Sequence, residues 1–117
     1  AGAGGLFGHH GPSDVKWTEE YQSLLMQMHF LAIMKNPGIA GLALWQFADV
    51  PIDQNVSSEE HRPRGLNNKG VVGLNRQPKV AFHALRLLRQ GQQKVGGYSG
   101  LILPPEDAPR LAGKLKI

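Results

Sequence analysis

Three stretches of the sequence carry side chains whose types and spacing could do chemistry. The first is Gly8-His9-His10-Gly11. Imidazoles titrate near neutral pH and ligate metals. Adjacent histidines point in different directions, so a metal would need further ligands, and the helical His-Glu-x-x-His spacing is absent. These histidines read as a pocket-lining loop; no metal or other cofactor is implied, and a His9/His10 metal protein ranks last among the readings. The second stretch is Leu44-Trp45-Gln46-Phe47-Ala48-Asp49. An indole offers a flat apolar face that suits the C–H face of a sugar ring, and Trp45 reads either as such a platform or as core. The third is Arg62-Pro63-Arg64-Gly65-Leu66-Asn67-Asn68-Lys69-Gly70. Two guanidinium groups, two amides and an ammonium so close together could clamp a carboxylate, a phosphate or sugar hydroxyls. The bland alternative is a solvated charged loop. No aromatic residue is interleaved for base stacking, which argues against a nucleic-acid patch.

Such side chains need a scaffold, and composition limits which one. A chain of 117 residues fits one domain, or two at most. With 41% hydrophobic and 19% charged residues it is too apolar for a disordered chain. Its 15 glycines and 8 prolines demand a large share of loop. The absence of cysteine excludes a disulfide framework, thiolate metal sites and cysteine catalysis. No apolar run approaches the ~18 residues of a membrane span. Ala1 to Gly5 lacks the charged and apolar regions of a signal peptide. A formal charge of +4 permits an anionic partner without requiring one. No compartment follows from any of this.

The elements alternate. Residues 1–17 read as loop. Thr18 is a candidate N-cap, and Glu19 and Glu20 suit the positive end of the helix that follows. Tyr21, Leu24, Leu25, Met28, Leu31 and Ala32 form its apolar stripe, and Lys35-Asn36-Pro37-Gly38 stops it. Ile39 to Trp45 is continuously apolar and predicts a strand covered on both faces, as in a parallel sheet. A long polar loop, Ala48 to Gly65, contains Asp53 and the pair Glu59 and Glu60. Pro78 suits the first position of a second helix, with Val80, Ala81, Ala84, Leu85, Leu87 and Leu88 as its apolar face, and Gly91 ends it. Beyond lie a Gly-rich joint at 96–100, a candidate edge strand Leu101–Leu103 and a basic tail with Arg110, Lys114 and Lys116.

Taken in order, these features resemble glycoside hydrolase family 2, the β-galactosidase, β-glucuronidase and β-mannosidase group. The resemblance covers roughly residues 1–90. It is carried by Trp45-Gln46-Phe47-Ala48-Asp49, then Asn67-Asn68-Lys69-Gly70, then Arg76-Gln77-Pro78-Lys79, with Trp17-Thr18-Glu19-Glu20-Tyr21-Gln22 upstream. In β-glucuronidases the matching segments are Trp-Asn-Phe-Ala-Asp, Asn-x-Lys-Gly and Arg-x-Pro-Lys. The resemblance implies an α/β fold: the last β/α units of a TIM barrel, roughly helix 7, strand 8 and helix 8. Residues 1–90 would be the barrel segment, and 91–117 a linker and C-terminal extension. It further implies that Trp45 helps form the sugar subsite and that Asn67 and Lys69 hold a substrate carboxylate. His10 and Arg64 join them as candidate substrate-binding residues. Asp49 would fix the loop after the strand. Gly4 stands where many β-glucuronidases carry an acidic residue, and the loop before Asn67 is longer than theirs.

Retaining glycosidases work with two carboxyl groups ~5–5.5 Å apart. By the resemblance, the nucleophile falls just before Ala1 and the acid/base residue further upstream, so no catalytic residue is expected among these. A (β/α)8 barrel needs about 250 residues. The expected partners are therefore a β-glycoside and the remainder of the barrel, on the same or a separate chain; self-association is a further possibility. The competing reading is a non-catalytic basic module that binds or assembles with an anionic partner.

Overall fold

A computed structural model describes residues 2–53, 55 and 61–95. Glu59, Glu60, the segment 101–103 and the basic tail lie outside the described residues. The chain forms a small mixed helix/strand domain. Its elements are α1 (Glu19–Met34), β1 (Val50–Pro51), a 3₁₀ turn (Pro63–Gly65), β2 (Leu66–Asn67) and α2 (Val80–Val95).

Helix α1 begins where a hydroxyl is available to begin it. Thr18 is extended, and its Oγ1 accepts from the Tyr21 amide at 3.0 Å while donating to the Val15 carbonyl at 2.8 Å. The helix stops at Lys35, ahead of Asn36-Pro37-Gly38. Leu24, Met28 and Leu31 are buried as expected, but so are Gln22, Ser23, Met26 and Gln27, whereas Tyr21, Leu25 and Ala32 are half-buried. The inward face is thus rotated toward polar residues. This is tolerable because the amides find partners: Gln27 donates to Ser23 Oγ at 3.1 Å, and Gln22 donates to the carbonyls of Ala3 and Gly70 at 3.0 and 2.8 Å.

Helix α2 packs against α1, and its Ala81, Ala84 and Leu88 are buried. Met26, Ala48, Val71, Val72 and Ala81 form the core, with Phe82 and Leu85 against it. Two expectations fail here. Pro78 is not the first helical residue: it pairs with Val72 in an antiparallel bridge, and the helix starts at Val80. Gly91 does not end the helix, which runs on to Val95, so a single glycine there did not stop a regular backbone. Leu87, expected on the apolar face, is exposed.

The larger correction concerns Ile39–Trp45. No residue of this stretch lies in a strand or bridge, and it is exposed rather than covered: 43% for Ile39 and 60% for Trp45. An apolar run becomes a buried strand only where other strands flank it, and among the described residues the only sheet is β1 with β2. Pairing starts one residue later. Gln46, Phe47 and Asp49 run beside 69–72, with Gln46 N–Lys69 O at 3.0 Å, Val72 N–Phe47 O at 3.0 Å and Asp49 N–Val72 O at 3.0 Å. β1 and β2 then pair antiparallel, Val50 with Asn67 and Pro51 with Leu66, which closes the base of the long loop. An apolar cleft of about 500 Å³ lies between the two helices and the 40–44 segment, walled by Phe30, Ile33, Leu42, Leu44 and Leu85. No described helix is long and apolar enough to cross a membrane.

Replacing the capping hydroxyl tests the start of α1. Thr18→Ala is expected to lower stability by about 1–2 kcal/mol, read as a shift of the urea unfolding midpoint; an unchanged midpoint contradicts the cap.

Candidate functional site

The site is assembled where the N-terminal segment, the 67–70 loop and the start of α2 meet. Asn67 leaves β2, and its Oδ1 faces Lys69 twice: the Lys69 amide at 3.3 Å and the Lys69 ammonium at 3.4 Å. Both residues are half-buried. The Trp45 segment lies alongside, since the Gln46 amide donates to the Lys69 carbonyl. Gly2 closes the group from the third side: a Cβ there would run into the Trp45 carbonyl and come within 3.6 Å of Lys69 Cδ. The backbone of Trp45 and Gln46 thus runs beside Lys69 and, through it, near Asn67, while neither Trp45 nor Asn67 lines the cleft next to Lys69. The Trp45–Gln46 peptide is cis.

Arg64 and His10 go elsewhere. Arg64 sits at φ 61°, and its Nη1 donates to the Phe7 carbonyl at 2.7 Å. His10 Nδ1 lies 2.8 Å from Glu20 Oε1 at the start of α1. Neither bonds to Asn67 or Lys69; both instead brace the loop 7–11. Among the described residues no group of three or more His, Asp or Glu side chains could hold a metal ion.

A cleft of about 310 Å³ opens beside Lys69, lined by Gly2, Gly4, Trp17, Tyr21, Arg62 and Asn68 among others. Trp17 is the residue the sequence reading missed. It adopts φ 77°, and its ring lies on Gly4, where an added Cβ would stand 2.6 Å from Cζ3. The Lys16 ammonium sits 4.9 Å above the same ring. Gly4 and Trp17 therefore form a small-for-large pair. An acidic side chain at position 4 has no room while the indole is there.

Beneath the site lies a buried ion pair. Lys79 is 0% exposed, and its Nζ reaches Asp49 Oδ1 at 2.8 Å, the Gly5 carbonyl at 2.6 Å and the Asn68 carbonyl at 3.4 Å. Asp49 Oδ1 also accepts from the Gly70 amide at 2.9 Å. Burial pushes the Asp49 carboxyl up and the Lys79 ammonium down, against the pull of their mutual bond. Glu19 plays a similar part nearby. Its Oε1 accepts from the Gly8 amide at 2.7 Å and its Oε2 from the Val80 amide at 2.8 Å, so one carboxylate on α1 caps α2. A signal for Lys79 was present in the sequence: a lysine opening a helix sits at the positive end of its dipole and needs a specific partner.

The hydrogen bond that His10 donates to Glu20, and then the Glu20 charge, hold the His10 imidazolium above its ordinary 6.5. Burial works to raise the Glu20 carboxyl, but bonds from His10 and from the Glu20 and Gly11 amides outweigh it and leave it below its ordinary 4.5. The His10 share of stability is thus present below pH 6.5 and lost as pH rises through the raised value. The Glu20 share is present above pH 4.5 and lost as pH falls through the lowered one. In an NMR titration, Glu20→Gln is expected to bring the His10 midpoint back toward 6.5; an unmoved midpoint contradicts the pair.

No family model matches the chain. The chain is 34% identical over 97 residues to a β-glucuronidase of Paenibacillus borealis, covering 83% of the chain and 15% of that protein. It is 39% identical over 87 residues to a β-glucuronidase of Chlorocebus aethiops, covering 73% of the chain and 13% of that protein. Among solved structures, it is similar to a GH2 β-galacturonidase of Eisenbergiella tayi bound to galacturonate. The TM-score is 0.67 at 36% identity, over 83% of this chain and 16% of that one. A β-D-glucuronidase of Dictyoglomus thermophilum matches with a TM-score of 0.65 at 31% identity, over 80% and 15%. The chain thus spans about 15% of the length of such relatives. The motifs and these relatives agree on a glycoside hydrolase family 2-like assignment over most of this short chain.

Proposed function

We propose that the chain is the closing part of the catalytic (β/α)8 barrel of a retaining β-glycosidase. On this reading α1 is the barrel's seventh helix and α2 its eighth, with the extension beginning after α2. Ile39–Trp45 is the stretch that adjoining strands cover in a whole barrel. The exposed apolar side chains of that stretch, and the cleft beside them, favour this arrangement over a free-standing module.

The substrate class we infer is a β-linked uronic acid. The observation that carries it is the Asn67–Lys69 couple, an amide and an ammonium 3.4 Å apart beside Trp45 and Gly2. An ammonium holds a carboxylate by charge and hydrogen bond, and a neighbouring amide adds direction. The similarity to proteins named β-glucuronidase and β-galacturonidase supports the same class. In this role the chain's residues bind and orient the sugar. The displacement itself uses two carboxyl groups, one as nucleophile and one as acid/base, which this reading places outside the 117 residues.

Binding to the chain tests the substrate class. A hydrogen bond to a charged group contributes about 1.5–3 kcal/mol. D-glucuronate is therefore expected to bind at least tenfold more tightly than D-glucose in an NMR titration. Lys69→Met is expected to erase that preference. Equal binding of the two sugars, or a preference that survives Lys69→Met, overturns the uronate reading. Hydrolysis of an aryl β-glucuronide by these 117 residues alone overturns the placement of the carboxylates.

A further inference from the structure

Lys79 is more deeply buried than its chemistry recommends. An ammonium taken from water needs oxygens around it, and a buried pair is often no more stabilising than well-packed apolar residues of the same volume. What the pair supplies is direction. Its bonds end on the residues that flank the couple described above. Lys79 Nζ meets the carbonyl of Asn68, the residue between Asn67 and Lys69. Asp49 Oδ1 meets the amide of Gly70, the next residue along. The same ammonium holds the Gly5 carbonyl, and Gly5 in turn donates to the Asn68 carbonyl at 2.9 Å. The Lys79 amide donates to the Val71 carbonyl at 3.1 Å. The backbone is therefore held at Asn68, Gly70 and Val71, on both sides of Lys69 and just after Asn67.

We propose that Lys79, acting with Asp49, is the positioning residue of the uronate site. It fixes the rotation of the 67–70 loop so that the Asn67 amide and the Lys69 ammonium address one ligand. Loss of the pair frees the loop to turn. The two groups then no longer converge, and selectivity for a carboxylate falls before the fold does. This inference rests on the uronate reading of Asn67 and Lys69.

The test uses the full chain and the double variant Asp49→Asn/Lys79→Met, which removes both buried charges and so avoids stranding one of them. The readouts are far-UV circular dichroism and the ratio of D-glucuronate to D-glucose affinity. The expected result is a folded protein whose ratio falls about tenfold, through weaker glucuronate binding and unchanged glucose binding. A folded double variant that keeps the wild-type ratio overturns the positioning role. A wild-type chain with no preference for glucuronate overturns the uronate reading and the positioning role with it, which separates the two failures. A second measurement needs no variant. On saturating the wild type with glucuronate, the Gly70 amide resonance is expected to shift while the Gly38 amide, bonded to its own turn at Asn36, stays still. A Gly70 resonance that does not move overturns the proposal even where the double variant fails to fold.

Discussion

A buried ammonium must be given oxygens, and meeting that demand organises this chain. Lys79 takes one from a carboxylate and two from backbone carbonyls, and these come from the N-terminal segment, the extended segment after Phe47 and the 67–70 loop. Three stretches far apart in sequence are thereby drawn to one point. Hydrophobic burial could not do this alone. It is non-directional, and the apolar core of Met26, Ala48, Val71, Val72 and Ala81 is small. The ion pair says where each loop goes; the core says only that they are inside.

Other buried polar groups repeat the device. Gln22 ties the Ala3 and Gly70 carbonyls to α1, and Glu19 joins the Gly8 amide to the N-terminus of α2. Backbone groups that a sheet ladder would satisfy are met here by side chains, which is why so irregular a set of loops can be buried. Among the described residues, the acceptors Gln22 Oε1 and Asn68 Oδ1 are buried without a hydrogen-bond partner. Asn68 also lines the cleft beside Lys69, while its side-chain amide nitrogen is held by the Pro63 and Leu66 carbonyls at 2.9 and 3.0 Å.

How much of this was legible follows from how local each cause is. Thr18 and Pro37-Gly38 bound α1 through bonds within a few residues, and both ends were readable. The Trp45, Asn67 and Lys69 grouping came from motif order; the backbone runs Gln46 beside Lys69. What failed was whatever depends on a distant neighbour. Ile39–Trp45 has the composition of a covered strand, but covering is supplied by other strands, not by the run itself. Gln22 and Gln27 lie outside the apolar stripe, and their burial is explained only by the partners they serve, two carbonyls and the Ser23 hydroxyl. Trp17 became visible only against Gly4, because the signal is a pair split by twelve residues. Arg64 and His10 were grouped with the site by residue type, and type alone does not reveal that a backbone carbonyl and a carboxylate already hold them.

The contrast between the two faces of the molecule explains how a site could persist in so short a segment. Around Lys79 the demands of the buried ion pair are met from within the described residues: a carboxylate, two carbonyls and an amide close on it. Around Ile39–Leu44 the apolar surface is left open, with Trp45 at its end and a 500 Å³ cleft beside it. Directional bonds fix geometry locally, whereas apolar burial needs area from neighbours. On the proposed reading, the parts that must be placed to a fraction of an ångström depend on the first kind of force, and the parts that merely join the segment to a barrel depend on the second. The carboxylate-holding couple would then carry its own alignment with it, and the barrel would contribute the walls and the reacting groups around a loop whose shape Lys79 and Asp49 have already set.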